Sequence, residues 1–360
     1  MIQVLYAENS WNPLAQTVEL TGQGLRARGR TTPLNELHWP AMADAYRRGY
    51  WLGGGGTERS LRELPDGPSV VPVTRVTGTT KPVKVRRAAE FAHRLGEMAI
   101  QQCGGLAQVA ALAAQAEAEG VPLWMARRYA PGPAGAIAVA VDRRLVRVDV
   151  WGPMAPVVRV RAPHGLRSAD RTTPNRGLVL TVGTDTATLT LTKVWRKSRS
   201  FVTVRTSQHQ WDLQRENSTS SRLLRDGQQV ALLTRPPRRR RPVPGTVLLP
   251  LSDIRHDSHD PLDAVMAHAF AVTFGLGDTT GAHRFRTQPT RPTNEGEPVA
   301  LEIEWDTAWY SNLGWGSDDN QSGGGDGWGS DGGEGGGGSD GGGGGDGGGG
   351  DGGGGGGGGD

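Results

Sequence analysis

Residues 260–276, DPLDAVMAHAFAVTFGL, limit what the chain can fold into more than any other stretch. Leu262, Val265, Met266, Ala269, Phe270 and Thr273 recur at spacings of three and four, the period of one helical face, and Val272, Phe274 and Leu276 widen that face. Asp260 stands where an N-cap oxygen accepts a backbone N–H, Pro261 where a missing donor costs nothing, and Gly275 and Gly277 supply the stop. A helix this short with so wide an apolar face is expected to be largely buried, inside a curved sheet. It is too short, and too interrupted by His268, to span a bilayer.

The residues before it supply such a sheet. From residue 121 the runs VPLWMARR, AIAVAVD, RLVRVDVWG, PVVRVRA, GLVLTVG, ATLTLTKVW, SFVTVRT, QWDLQRE, SRLLRDGQQVALLT and GTVLLPL are β-branched or alternating. Turn signals fall about every 8 to 12 residues, the cadence of an antiparallel meander, and Asp226-Gly227 is the strongest hairpin signal among them. One more strand, PVALEIEW at 298–305, follows the helix. The order of strands closing on a buried helix resembles the tubby-like barrel in arrangement, and the strand after the helix departs from it.

The first 133 residues read as a mixed α and β region. IQVLYA and QTVELTGQGLRARG predict two strands or a loose hairpin, PAMADAYRRGYWL a helix over 40–52, and SVVPVTRV a strand whose Pro72 puts it at an edge or bulge. The glycines 53–56 precede a helix-like ERSLREL; they read as a connector, with an anion cradle at a helix start as the competing function. Apolar stripes over 85–102 and 106–119, broken by Cys-Gly-Gly, predict a helix hairpin at 85–119. Its second helix, rich in alanine and carrying two Glu, lacks the side chains that read base edges.

The fold class expected is therefore α+β. Its second half is mainly antiparallel β packed around a buried helix near 261–276, with a disordered Gly/Asp-rich C-terminal tail. The corresponding division is 1–133, 134–315 and 316–360. Residues 317–360 hold 28 of the 56 glycines and nine acidic residues with no Lys or Arg, too little apolar surface to offset the entropy of ordering glycine. The whole chain carries +3, which leaves +12 on the rest. Only Lys81, Lys84, Lys193 and Lys197 are lysines among 40 basic residues, an arginine skew that a GC-rich coding sequence produces without selection for binding. The single cysteine, Cys103, excludes an internal disulfide and cysteine-rich zinc motifs. With no secretory signal at the start and no membrane span, a soluble cytoplasmic protein is expected.

Two constellations carry candidate chemistry. Arg238, Arg239, Arg240 and Arg241, inside RPPRRRRPVP, place four guanidinium groups between prolines. They suit phosphates, lipid headgroups or acidic protein, without the interleaved aromatics that stack bases. His256, Asp257 and His259, in RHDSHD, with His268 and His283 beyond, are metal-capable; zinc, manganese or iron would suit them. The spacing completes neither HExxH nor a facial triad, and no nucleophile elbow accompanies it.

The expectation is a non-catalytic binding or scaffold protein of unknown ligand, without cofactor. Polyanion binding through the basic body and residues 238–241, modulated by the acidic tail, is the alternative, and a metal-dependent hydrolase the second. The sequence leaves the partner unknown, a polyanion or a protein being the two kinds that would suit it.

Overall fold

The computed structural model describes residues 4–8, 17–142, 147–161, 178–192, 201–217, 219–234, 248 and 251–274. The expected strand at 298–305 and the expected tail lie outside them.

The first part begins with a four-stranded antiparallel meander of β1 (Val4–Ala7), β2 (Val18–Thr21), β3 (Gly24–Ala27) and β4 (Arg30–Pro33), where the sequence suggested two strands. Helix α1 (Trp39–Arg47) is shorter than expected: the chain reverses at Arg48-Gly49, and Tyr50–Leu52 leaves it as strand β5. ERSLREL is not a helix. Glu58–Ser60 pairs with β5 as β6, and Leu61–Glu63 forms a single 3-10 turn before Pro65. Glycines 53–56 thus join two strands, Gly54–Gly56 as a single 3-10 turn, so no α-helix start stands beside them to receive an anion.

Strand β7 (Ser69–Thr74) and β8 (Thr80–Val85), the latter unforeseen, make a two-stranded ribbon with Pro72 opposite Pro82. A ribbon is all edge, so the missing donors cost no ladder bond. Helices α2 (Ala88–Gln102) and α3 (Leu106–Glu119) follow, and α1 packs against both. Gly96 permits the α1–α2 approach: a Cβ there would stand 2.4 Å from the Tyr46 ring. The core joins Tyr6, Leu20, Trp51, Val71, Phe91 and Leu95, all nearly or fully buried, and Trp51 donates to the Pro72 carbonyl at 2.8 Å.

The second part is one sheet of eleven antiparallel strands in sequence order. They are β9 (Arg127–Gly132), β10 (Gly135–Asp142), β11 (Arg147–Trp151), β12 (Val158–Arg161), β13 (Val179–Val182), β14 (Asp185–Thr192), β15 (Phe201–Arg205), β16 (Gln210–Arg215), β17 (Ser220–Arg225), β18 (Gln228–Thr234) and β19 (Asp253–His256). Alternation decides the faces. Val148 and Val150, Val158 and Val160, Val202 and Val204, and Trp211 and Leu213 point to one side and are buried against α4 (Pro261–Phe274), in one core.

Helix α4 is buried from Asp263 through Phe274 on every side, as its all-round apolar sequence requires. Fully burying each of Val265, Met266, Phe270 and Phe274 contributes about 1.5–3 kcal/mol. Asp260 caps the helix as expected, its carboxylate accepting from Leu262 N–H at 2.9 Å. Asp226 and Gly227 turn β17 into β18 with φ of 50° and 86°, the positive pair such a two-residue hairpin requires. No helix among the described residues is long and apolar enough to cross a membrane.

Residues 119–127 connect the two parts. The Arg127 guanidinium gathers the carbonyls of Val121, Pro122, Leu123 and Met125 and pairs with Glu119. Arg159 on β12 donates to the Glu119 carbonyl at 3.1 Å, meeting the negative end of α3. Gly120, left-handed at φ 63°, ends that helix where a Cβ would come within 2.7 Å of Arg159 Nη2. Beside it Asp149, fully buried, is held by Arg161 Nη2 at 2.6 Å, Arg159 Nε at 3.1 Å and Arg147 Nε at 3.4 Å.

Candidate functional site

A metal centre at His256, Asp257 and His259 needs the three to converge, and the strand they begin on separates them. Successive side chains of a strand face opposite ways. His256, opposite Ala231, turns inward with Ile254. Asp257 lies outside, its carboxylate taking Gln229 Nε2 at 2.7 Å and Arg255 Nε at 3.0 Å, bonds that hold it below the usual carboxylate range. His259 is exposed in the connection to α4, and His283 lies outside the described residues. Among the described residues no group of three His, Cys, Asp or Glu is arranged to hold a metal ion.

What His256 meets instead is His268 of α4, the ring centroids 5.9 Å apart and tilted by 48°. His268 is 2% exposed, and neither of its ring nitrogens has a hydrogen-bond partner. Burial pushes it down to about 3, and the neighbouring His256 adds to the effect. Burial lowers His256 as well, opposed by the Pro131 carbonyl and by Asp257. Two neutral imidazoles result. No carboxylate hydrogen-bonds either ring among the described residues, so neither has the orienting group that a catalytic base uses. The pair is a core contact between sheet and helix.

The arginines 238–241 lie outside the described residues, yet the strands that flank them are described. Neighbouring strands of the meander run in opposite directions, so every second connection emerges at the same end of the sheet. At one end are the connections 133–134, 152–157, 183–184, 206–209 and 226–227, then 257–260 leading into α4. They contain Asp226, Asp257 and Asp260 and no Arg or Lys. The strand ends between which 143–146, 162–177, 193–200, 216–219 and 235–252 run in sequence lie at the other end, and those segments are mostly outside the described residues. Those five carry fourteen Arg and Lys, Arg238, Arg239, Arg240 and Arg241 among them, against Asp170 and Glu216 alone.

Compared with protein families, characterised proteins and solved structures, the chain matches none. The site must therefore be read from its own charges.

Helix α4 fixes the sense of the molecule. Its start is pinned to the acidic end: Arg225, beside the Asp226-Gly227 turn, pairs with Asp260 at 2.5 Å and with Asp263 at 3.1 Å. Fourteen residues of helix are about 21 Å long, the length of about six residues of strand. Burial raises the Asp260 carboxyl, but the Arg225 and Leu262 hydrogen bonds outweigh it and hold Asp260 low. The acidic end is thus satisfied internally. The sequence shows residues 238–241 as a cluster and the other ten basic residues as scatter; strand direction shows that the described strand ends flanking all of them lie at one end.

Proposed function

We propose that the protein is a non-catalytic binding module that holds a polyanion, through phosphate groups, at the basic end of its eleven-stranded sheet. One observation supports the reading: the segments that hold fourteen basic residues, all of them outside the described residues, run in sequence between strand ends at one end of the sheet, while three aspartates stand in the turns at the other. Clustered arginines meet phosphates bidentately and release counterions, which yields affinity without sequence preference. No aromatic interleaves residues 238–241, so the recognition expected is of charge rather than of bases.

The test is retention of the full chain on heparin and on a duplex oligonucleotide across a salt series. Replacing Arg238, Arg239, Arg240 and Arg241 by Ser should make the slope of log K against log salt shallower by about 0.9 for each phosphate that is no longer neutralised. Asp257→Asn, at the opposite end, should leave it unchanged. Affinity that ignores salt, or an arginine-depleted variant that binds like the parent, would remove the proposal.

A further inference from the structure

The face of β11 and β12 turned away from α4 carries Arg147, Asp149, Arg159 and Arg161. Arg161 Nη2 and Arg159 Nε meet at one oxygen of the buried Asp149, Oδ1, at 2.6 and 3.1 Å. Arg147 Nε reaches the other oxygen at 3.4 Å and has the buried Asp142 opposite it across the β10–β11 pair. Arg159 also covers the carbonyl end of α3, equivalent to about half a negative charge. Three guanidiniums against two carboxylates and a helix end leave the group positive. Burial lowers Arg161 from the ordinary arginine range, Asp149 opposes that shift, and Arg147 and Arg159 add to it, so its charge is under-compensated where it stands.

Both guanidiniums over Oδ1 are fixed, and both keep donors in hand. Arg161 Nη1 donates to the Val148 and Val160 carbonyls at 2.9 and 3.0 Å, and Arg159 Nη2 to the Glu119 carbonyl at 3.1 Å. Arg159 Nη1 and Arg161 Nε bond to nothing among the described residues, yet neither is a buried unpaired atom, so both reach solvent. Thr181 on β13 stands directly across from Arg159, half-buried, and brings a hydroxyl to the same face. Further along that face the outward residues Val179, Thr186, Thr188 and Thr190 include no acid to compete for the arginines.

We infer that Arg159, Arg161 and Thr181 form a site for one phosphate group on the outer face of the sheet. Because both guanidiniums touch one carboxylate oxygen, a single phosphate can lie across the pair, accepting from Arg159 Nη1 and Arg161 Nε in charge-assisted bonds. Asp149 has two roles here. It withholds part of the positive charge, and it orders both side chains before the ligand arrives, which lessens the entropy lost on binding. The site does not rest on residues 238–241: it holds one ion on fixed donors, where those would meet a charged chain through counterion release.

Titrating the full chain with inorganic phosphate, at an ionic strength held constant with chloride, tests this by calorimetry and by magnetic resonance. One phosphate per chain should bind, and the Arg161 Nε–H signal and the amides of β12 and β13 should shift most. Arg159→Gln should weaken binding by about tenfold or more and Thr181→Val by about threefold. Arg255→Gln, at a side chain 65% exposed on β19, should leave it unchanged. So should replacement of residues 238–241 by Ser, which separates this site from the polyanion contact. Comparing glycerol phosphate with inorganic phosphate distinguishes a phosphate monoester from the free ion. Should Arg159→Gln fail to fold, Thr181→Val and the signals of the unaltered chain decide. Absence of saturable binding, shifts centred on other residues, or a folded Arg159→Gln that binds like the parent would overturn the inference.

Discussion

His268 shows how a single residue can be legible in type and opaque in role. Its position between two alanines on an apolar helix marked it for burial, and burial is what it has. A buried imidazole that stays neutral makes stability depend on pH. His268, pushed to about 3, and His38, pushed to about 4 by burial and by the charge of Arg127, take up protons in the unfolded chain near pH 6.5 but not in the folded one. The unfolded state then binds more protons as pH falls below about 6.5, and stability drops by about 1.4 kcal/mol per pH unit per histidine until the folded values are reached. His268→Leu should flatten this acid limb between pH 6.5 and 5 and cost nothing at pH 7.5, since it also removes two unpaired buried nitrogens. Urea midpoints over that range decide the matter; an unchanged slope in the variant would rule out His268 as a source. The metal reading of His256, Asp257 and His259 was plausible as a string of residues, because adjacency in sequence looks like adjacency in space. On a strand it is the reverse, and alternate facing sent His256 inward and Asp257 outward.

At the scale of elements, periodicity read well where one face is buried and poorly where segments are short. The helices α2 and α4 and the strands β10 to β18 stand close to where their patterns put them, since each buries one face or, for α4, all of them; α3 forms over its expected range but buries only Val109 and Ala116. ERSLREL misled because seven residues hold too few repeats to separate a helix from a strand and a turn; pairing with β5 decided it. The pinning of α4 came from pairs no pattern could anticipate. Asp263, 1% exposed, accepts from Trp211 Nε1 at 3.0 Å and faces Arg225, joining the helix to β16 and β17 across more than fifty residues of sequence for the tryptophan bond. Asp263→Ala would leave the indole N–H buried and unpaired and take from Arg225 one of its two carboxylates. It is expected to cost about 3 kcal/mol in chemical denaturation. A destabilisation below about 1 kcal/mol would show that the network is incidental. Asp263→Asn, keeping the tryptophan bond, should cost less.

For the whole molecule the governing feature is the split of charge along the sequence. A chain that carries +3 overall bears +12 before residue 317 and nine acidic residues after it. The acidic residues of 317–360, outside the described residues, oppose the charge of the rest of the chain. We therefore expect residues 317–360 to compete with a polyanion. Deleting them should tighten heparin binding severalfold at low salt, with the difference closing as salt rises through the range where the Debye length shrinks from about 30 Å to about 8 Å. Equal affinity with and without the segment would dispose of the competition.

The α+β class, the meander, the burial of α4 and the split in charge were all readable from the order of residues alone. Each follows from local properties, the period of apolar side chains, the turn residues and the summed charge, that need no knowledge of what lies opposite. Which connections share an end, which edges remain to be paired, and which histidine meets which emerged only once the chain was folded. Those relations depend on strand direction and register, set by hydrogen bonds between residues far apart in the chain, and a one-residue change of register would turn every side chain of a strand to the other face.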